Sequence, residues 1–297
     1  MEISVKEIEK CLEANGIGYK YTGDKSAAVK GFSAINNYKN DTITWIGRKE
    51  IAQEYHPDAL LVIAQDGLDV SFSNMFICDN SKKAFFTIIE TFFNEDVVLT
   101  DVGKGTYIGD NVKIGKNVKI GHNCTIDGNV EIEDNTIIHH NVTIINKVKI
   151  GANCEIQSGV RIGHDGFAYS EDVDGIKTMI KHHGGVIIHN DVFIGSNTEV
   201  ARGTIDDTVI NEGCKIDALT HIAHNVKLGK NNGVIAGCTI YGSVRTGDNC
   251  YIATSVIRDQ AVLGNNAFVG MNSTVTKDIP DNSVVVGSPA KVIRTNK

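Results

Sequence analysis

The chain has 297 residues and a formal net charge of −7, from 29 Lys and Arg against 36 Asp and Glu. It contains no basic block, which argues against nucleic acid or an anionic membrane surface as a partner. We find no signal peptide and no run of about 18 apolar residues, so we expect a cytoplasmic protein without a membrane span. The length is sufficient for two domains and a sizeable core.

Residues 1–100 are predicted to form a small α/β domain that binds a nucleotide. Val5, Ile8 and Leu12 recur at helical spacing, and the pattern stops near Gly16. Apolar runs of strand length follow at residues 59–63 and 75–78. A second helix with a broad apolar face is predicted over residues 85–93, where it would cover the sheet.

Trp45 is the only tryptophan of the chain and lies in a predicted strand, Thr44-Trp45-Ile46. One interpretation is a core residue of that strand, which is what spacing alone favours. The other is a platform on which a nucleobase stacks, with Arg48 beside it for a phosphate or a carbonyl.

Residues 101–285 carry an apolar residue at nearly every sixth position. A period of six is neither helical nor that of an alternating strand, and it indicates a left-handed parallel β-helix built from hexapeptides, three to a triangular coil. Each inward residue stacks on its neighbours above and below, so only a continuous stack is stable. The predicted fold class is therefore mainly β. The unbroken series comprises Ile108, Ile114, Ile120, Ile126, Ile132, Ile138, Ile144, Ile150, Ile156 and Ile162.

The hexad series is interrupted twice. The long insertion, residues 164–185, contains charged residues and glycines, and such a loop in a solenoid often belongs to a binding face. A short interruption around residues 202–208 shifts the period by four residues and is expected to be a corner bulge. Residues 286–297 follow the last hexads as a C-terminal tail.

His224 is the candidate general base. Gly242 lies one coil of about eighteen residues further along, so it should be about 4.8 Å away. A histidine beside a glycine with an unobstructed N–H supplies a base and an oxyanion donor for acyl transfer from a thioester to an amine. Asp217, seven residues before His224, is a candidate to fix the imidazole tautomer.

A zinc lyase of the carbonic-anhydrase type is the alternative from a different class. It also uses a hexapeptide prism, and it needs three histidines on one zinc ion. Its ligands would come from across a seam between chains, from among His164, His189, His221 and His224. That class lacks an N-terminal domain of this size, so we expect no metal site.

Four segments resemble the UDP-3-O-acylglucosamine N-acyltransferases of lipid A synthesis: residues 163–169 (Gly-His-Asp-Gly-Phe-Ala-Tyr), 206–210, 215–217 and 222–226 (Ile-Ala-His-Asn-Val). The resemblance implies a homotrimer of left-handed β-helices with an N-terminal uridine-binding domain. It also implies that His224 is the catalytic base, Asp217 its partner and Gly242 the oxyanion donor.

The same resemblance places an aromatic platform for uracil at Trp45. Together with the residues of the matching motifs, it predicts an acceptor site formed by Trp45, Asp165, Phe167, Tyr169, His221 and Asn225. Arg48, proposed beside Trp45 from its place in the sequence, completes this site but departs from the family, which tends to carry asparagine there.

The chain departs from that family at its donor end. Gln260 stands where a second histidine meets the pantetheine arm, and Ser273, close to Met271, stands where a methionine limits the acyl chain. The helical extension that grips acyl carrier protein is not found. Residues 287–291, Gly-Ser-Pro-Ala-Lys, instead resemble the loop that lies near the CoA nucleotide in CoA-dependent sugar acetyltransferases. The predicted donor site comprises Gln260, Met271, Ser273, Pro289 and Lys291.

The leading hypothesis is therefore an N-acyltransferase without a bound cofactor. It would move an acyl group from acyl-CoA to the amino group of a UDP- or dTDP-linked amino sugar of a surface glycan. The close alternative is the UDP-3-O-(3-hydroxyacyl)glucosamine N-acyltransferase of lipid A synthesis, with acyl carrier protein as the donor.

Overall fold

A computed structural model describes residues 2–48, 58–95 and 98–296. By its internal contacts the chain divides into two units, Met1–Val97 and Val98–Lys297. Within the described ranges, no helix is long and apolar enough to cross a bilayer.

The first unit begins with the predicted amphipathic helix. Helix α1 starts with a capping box, in which the Ser4 hydroxyl accepts from the Glu7 N–H and the Glu7 carboxylate accepts from the Ser4 N–H. Val5, Ile8 and Leu12 are buried on one face, as the spacing predicts. The elements are β1 (Ile3–Ser4), α1 (Val5–Ala14), β2 (Tyr19–Thr22), β3 (Ala28–Val29), β4 (Gly31–Phe32), a 3-10 turn (Ile35–Asn37), β5 (Thr42–Ile46), β6 (Leu61–Gln65), β7 (Met75–Cys78) and α2 (Ser81–Phe92).

A five-stranded sheet in the order β2-β7-β6-β5-β4 forms the centre of this unit. Strands β4 to β7 are parallel, and β2 joins β7 antiparallel. Helix α2 packs on β5 and β6 and contacts α1. Its buried residues include Phe85 and Ile88, so the predicted apolar face does cover the sheet.

The second unit is the predicted β-helix, whose coils pair strand on strand in parallel. One face is a ten-stranded sheet: β10 (Lys119–Ile120), β12 (Ile137–Ile138), β14 (Glu155–Ile156), β19 (Phe193–Ile194), β22 (Lys215–Ile216), β25 (Gly233–Val234), β28 (Tyr251–Ile252), β31 (Phe268–Val269), β33 (Ser283–Val286) and β34 (Lys291–Thr295).

The other two faces are one continuous sheet of fifteen strands, because several strands bend around the edge between them. It contains β8 (Tyr107–Ile108), β9 (Lys113–Ile114), β11 (Thr125–Ile132), β13 (Thr143–Ile150), β15 (Arg161–Asp165), β18 (Val186–Ile188), β20 (Glu199–Arg202), β21 (Thr208–Ile210), β23 (His221–Ile222), β24 (Lys227–Leu228), β26 (Thr239–Ile240), β27 (Arg245–Thr246), β29 (Val256–Ile257), β30 (Val262–Leu263) and β32 (Thr274–Val275).

The predicted inward residues form the core of this unit. Ile126, Ile144 and Ile162 pair in succession and are fully buried. Ile114 is an exception at 39% exposed, because the first coils have a neighbouring coil on one side only. Each buried isoleucine touches the coils above and below, so its truncation to alanine should cost about 2–5 kcal/mol of folding free energy.

The coils turn at corners where one residue adopts the left-handed conformation. Asparagine tolerates this conformation better than other non-glycine residues, and it fills most of these corners, with φ near +57° at Asn123 and +60° at Asn225. The insertion leaves one corner as a short hairpin, β16 (Tyr169–Glu171) with β17 (Lys177–Met179). The C-terminal tail forms part of the ten-stranded sheet, because β34 pairs antiparallel with β33.

Candidate active site

A cleft of about 730 Å³ lies at the edge of the β-helix where the chain turns after β23. The insertion forms one wall with Asp165, Gly166, Phe167 and Met179. The coils form the rest, with the side chains of Glu199, His221, Ala223, His224, Tyr241, Ser243, Asp259 and Gln260 around the backbone of Gly242. Several residues predicted from separate motifs are therefore brought together here.

Hydrogen bonding fixes the tautomer of His224. Its Nδ1 lies 3.0 Å from the Asn225 Oδ1, an atom that already accepts from the Thr204 N–H at 3.1 Å. The Asn225 Nδ2 donates to the Asp206 carbonyl at 2.9 Å, which settles the orientation of the amide. Because Asn225 Oδ1 can only accept, His224 Nδ1 must carry the proton. The lone pair is then on Nε2, as a general base requires.

His224 and Gly242 are in direct contact, as the repeat register predicts. A Cβ atom added to Gly242 would lie 2.8 Å from both Cε1 and Nε2 of the imidazole. No atom of the described residues accepts a hydrogen bond from the Gly242 N–H. A free base and a free backbone donor therefore lie side by side on the cleft floor.

Asp217 does not contact His224 within one chain, and its predicted pairing with His224 stays a prediction for a seam between chains. Asp217 follows β22 and His224 follows β23, which places them at different corners of the same coil. The Asp217 carboxylate accepts from the backbone N–H groups of Ala218 at 2.7 Å and Ala236 at 3.3 Å. Within the chain, Asn225 is the side chain that orients His224, and its predicted contact with substrate stays a prediction.

The short interruption of the hexads explains how Asn225 is held. The bulge after β20 brings the Thr204 backbone N–H and hydroxyl and the Asp206 carbonyl against the Asn225 amide. The bulge therefore positions the base, a role that the sequence pattern did not suggest.

Asp165 lies at the cleft, and its carboxylate holds the insertion in place. It pairs with the Arg202 guanidinium at 2.6 Å and accepts from the His182 N–H at 3.3 Å. Burial acts to raise the pKa of Asp165, but these donors outweigh burial and the pKa is lowered. Phe167 is 74% exposed and lines the cleft, whereas Tyr169 packs edge-on against Phe167 outside it.

His182 is a site residue that sequence reasoning missed. It is fully buried, and its ring lies edge-to-face with His224 at 5.4 Å between centroids. Its Nδ1 donates to the Ile180 carbonyl at 3.1 Å, while its Nε2 is buried without a partner among the described residues. Gly166 lies against both imidazoles, since a Cβ there would lie 2.9 Å from His224 and 3.2 Å from His182.

His221 lines the cleft as predicted and pairs with Glu199, with 3.3 Å between Nδ1 and Oε2. Within the described ranges, no group of three or more His, Cys, Asp or Glu could hold a metal ion. The zinc alternative draws its ligands from across a seam between chains and stays a prediction.

Trp45 lines a second, strongly apolar pocket of about 530 Å³ in the first unit. Its Nε1 donates to the Ser81 hydroxyl at 2.8 Å, and its ring packs against Phe85 and Phe86. Thr44, in the same pocket, is fully buried with a hydroxyl that has no partner among the described residues. Arg48 is exposed and does not line this pocket.

The predicted donor residues are dispersed over the β-helix. Gln260 lines the cleft and Met271 is 72% exposed at a different corner. Ser273 is wrong as a donor contact, because it is buried in a corner and bonds to the Gly270 carbonyl at 2.6 Å. Pro289 and Lys291 line a pocket of about 320 Å³ at the C-terminal end, together with Lys277.

The position of Asn225 leads to a testable expectation. Asn225→Gly removes the amide without straining the left-handed backbone, and it should lower turnover by roughly 10–100-fold because the imidazole loses its orienting acceptor. Asn225→Asp keeps an oxygen acceptor and should recover part of that loss. Asn231→Gly is the matched control, at another left-handed corner. Equal losses in Asn225→Gly and Asn231→Gly, measured by steady-state kinetics, would limit Asn225 to a structural role.

Comparison with known proteins agrees with this architecture. The family model for the bacterial transferase hexapeptide (six repeats) matches residues 102–128 and 129–164. The solved UDP-N-acetylglucosamine O-acyltransferase from Moraxella catarrhalis superposes with a TM-score of 0.62 at 22% identity, covering 67% of this chain and 76% of that one. UDP-N-acetylglucosamine acyltransferase from Bacteroides fragilis gives 0.58 at 25% identity, with 64% and 72% covered. The predicted left-handed β-helix is confirmed.

Two relatives by sequence are named for N-acyl transfer. UDP-3-O-acylglucosamine N-acyltransferase of Methylorubrum extorquens (strain PA1) is 38% identical over 138 residues, which is 46% of this chain and 39% of that protein. UDP-3-O-acylglucosamine N-acyltransferase 2 of Legionella pneumophila is 51% identical over 86 residues, or 29% and 25%. The matched segments thus span less than half of either relative. This chain is a hexapeptide-repeat β-helix protein that resembles, over part of its length, the UDP-3-O-acylglucosamine N-acyltransferases.

Proposed function

We propose that the protein is an N-acyltransferase that moves an acyl group from a thioester to the amino group of a nucleotide-linked sugar. The observation that carries this proposal is the contact between His224 and Gly242, where an imidazole with a free Nε2 meets a backbone N–H that has no acceptor in the described part of the chain. Acyl transfer to an amine needs these two groups and no side-chain nucleophile.

The chemistry at this contact balances as follows. The neutral amine attacks the carbonyl carbon of the thioester, which forms the N–C bond and places negative charge on the carbonyl oxygen. The Gly242 N–H stabilises that oxyanion, and His224 Nε2 takes a proton from the nitrogen. The C–S bond then breaks, and the leaving thiolate receives the proton from the imidazolium.

The acceptor we propose is a UDP-3-O-acylglucosamine. The names of the relatives support this alternative better than an amino sugar of another surface glycan. The pocket beside Trp45 supports a base-binding role for the first unit, because it combines aromatic rings with the buried, unpaired Thr44 hydroxyl.

We also propose that the protein works as a homotrimer. The insertion and the neighbouring edges expose large apolar side chains, among them Val173, Ile176, Ile205 and Leu219. Clusters of exposed apolar residues commonly mark protein–protein contacts. Packing of β-helices side by side would cover them.

The identity of the donor can be tested at the C-terminal pocket. Lys277 and Lys291 supply positive charge there, which suits the phosphates of acyl-CoA. Lys291→Glu should raise KM for acyl-CoA by about tenfold and leave kcat and the KM for the sugar nearly unchanged, as expected for lost ground-state binding. Lys116→Glu, an exposed lysine outside this pocket, is the control.

The same assay should be run with acyl carrier protein carrying an identical acyl chain. Efficient use of the carrier protein alone, with acyl-CoA turned over poorly, would make acyl-CoA the wrong donor. It would leave the acceptor and the role of His224 unchanged.

A further inference from the structure

Negative charge is concentrated in the active-site cleft. Of the residues that the structure describes, three carboxylates line the cleft and no lysine or arginine does. Asp165 is paired with Arg202, and Glu199 with His221. The third, Asp259, has no cationic partner among the described residues, and its only hydrogen bond is from the Gln260 Nε2 at 3.3 Å.

The orientation of Asp259 differs from that of equivalent residues at other corners. Asp248 accepts from the N–H of Lys230, one coil back, at 2.7 Å, and Asn265 accepts likewise from Asp248 at 2.9 Å. By the same register, Asp259 lies one coil after Gly242, as Asp248 lies one coil after Lys230. Its carboxylate is nevertheless turned to Gln260, which leaves the Gly242 N–H free and the negative charge directed to the cleft.

His224, Gly242 and Asp259 follow one another on this edge in successive coils, about 4.8 Å apart per coil. Because Gly242 has no side chain, the His224 imidazole lies over its backbone, and Asp259 follows one coil further along the same cleft. A ligand group bound beside the imidazole therefore lies within about one coil of the Asp259 backbone.

An unpaired carboxylate one coil from Gly242 repels an oxyanion held at the Gly242 N–H, unless a cation lies between them. An attacking amine meets this condition, because its nitrogen becomes positive when it bonds to the carbonyl carbon and stays so until His224 takes the proton. A hydroxyl acceptor is neutral before attack and provides no cation in the ground state.

We infer that Asp259 is a specificity-determining residue whose carboxylate binds the amino group of the acceptor and favours amines over hydroxyls. This inference rests on the proposed N-acyl transfer. The amine binds as an ammonium and releases one proton to solvent. The neutral amine attacks, its second proton passes to His224, and Asp259 stabilises the positive nitrogen of the tetrahedral intermediate.

The test compares Asp259→Asn with the wild type on two acceptors: UDP-3-O-acylglucosamine and its analogue with a hydroxyl in place of the 2-amino group. Removing the charge should raise KM for the amino sugar by about three- to tenfold. Turnover of the hydroxyl analogue should stay the same or increase, so the ratio of kcat/KM for the two acceptors falls. Asp110→Asn, exposed outside the cleft, is the control.

An unchanged ratio, or an equal loss for both acceptors, would overturn the inference, because the carboxylate would then serve structure alone. A rise in turnover of the amino sugar would also overturn it, since Asp259 would then be obstructing the Gly242 N–H. Binding of each acceptor in the absence of donor, measured by calorimetry, separates the proposed N-acyl transfer from the proposed amine binding by Asp259. If the wild type acylates neither acceptor, N-acyl transfer is wrong, and weaker binding of the amino sugar alone by Asp259→Asn still supports the role of Asp259.

Discussion

His224→Ala should lower turnover by roughly 10²–10⁴-fold, because it removes the imidazole that lies against Gly242 on the cleft floor. The His224 side chain is half-buried at the surface of a corner, and its hydrogen bond is to the neighbouring Asn225. Thermal stability should therefore change little. Single-turnover kinetics at saturating donor and acceptor is the measurement, with a thermal melt in parallel.

His189→Ala is the matched control, since His189 is exposed on the same unit and does not line the cleft. It should keep wild-type turnover. Retention of more than a third of the wild-type rate by His224→Ala would place the base elsewhere or assign that role to a group of the substrate.

Gly242→Ala should lower kcat by roughly 10²-fold. The backbone of Gly242 does not adopt a positive φ, so alanine causes no strain of its own. The added methyl would lie 2.8 Å from two atoms of the His224 ring, which must move by a large fraction of an ångström. Displacements of about 1 Å at a reacting group can cost about two orders of magnitude in rate.

The control for this substitution is Gly18→Ala, where the methyl would meet only Asp79 at an ordinary 3.9 Å. Wild-type kcat in Gly242→Ala, at an unchanged melting temperature, would mean that the imidazole and this backbone do not act together.

The β-helix could be predicted from the sequence because its inward-facing residues recur at every sixth position. A spacing of six from Ile108 to Ile162 has no other physical explanation, and it also places Gly242 against His224 by counting along one coil. Both follow from a repeat that sets the position of each residue along the axis and around it.

The partner of His224 could not be predicted in the same way. Asp217 has suitable chemistry and is close in sequence, but within one chain the two side chains lie at different corners, so its pairing with His224 stays a prediction for a seam between chains. Asn225 looks in sequence like one more corner asparagine. Its role depends on the bulge that carries Thr204 and Asp206, and irregular backbone of this kind has no periodic signal.

Ser273 and Asp259 also show that the repeat does not reveal what a corner side chain contacts. Ser273 was predicted to be a site residue and is buried, whereas Asp259 was not predicted and lines the cleft. Ser273 matched a donor position by resemblance, although it stands two residues before an inward valine, in the corner position where small residues are buried. Asp259 occupies a corner position in which other acidic residues bond to the preceding coil. That it turns to the cleft instead is visible only in the structure.

The central claim is that His224 and Gly242 transfer an acyl group to the nitrogen of a nucleotide-linked amino sugar. Its most direct test is mass spectrometry of UDP-3-O-acylglucosamine after incubation with the protein and an acyl thioester, with hydroxylamine treatment of the product. We predict a product heavier by one acyl group that keeps that group after hydroxylamine has removed the 3-O-acyl ester, as an amide does, and that is not formed by His224→Ala. No acylated product with either acyl-CoA or acyl carrier protein, or a product from which hydroxylamine removes both acyl groups, would contradict this proposal.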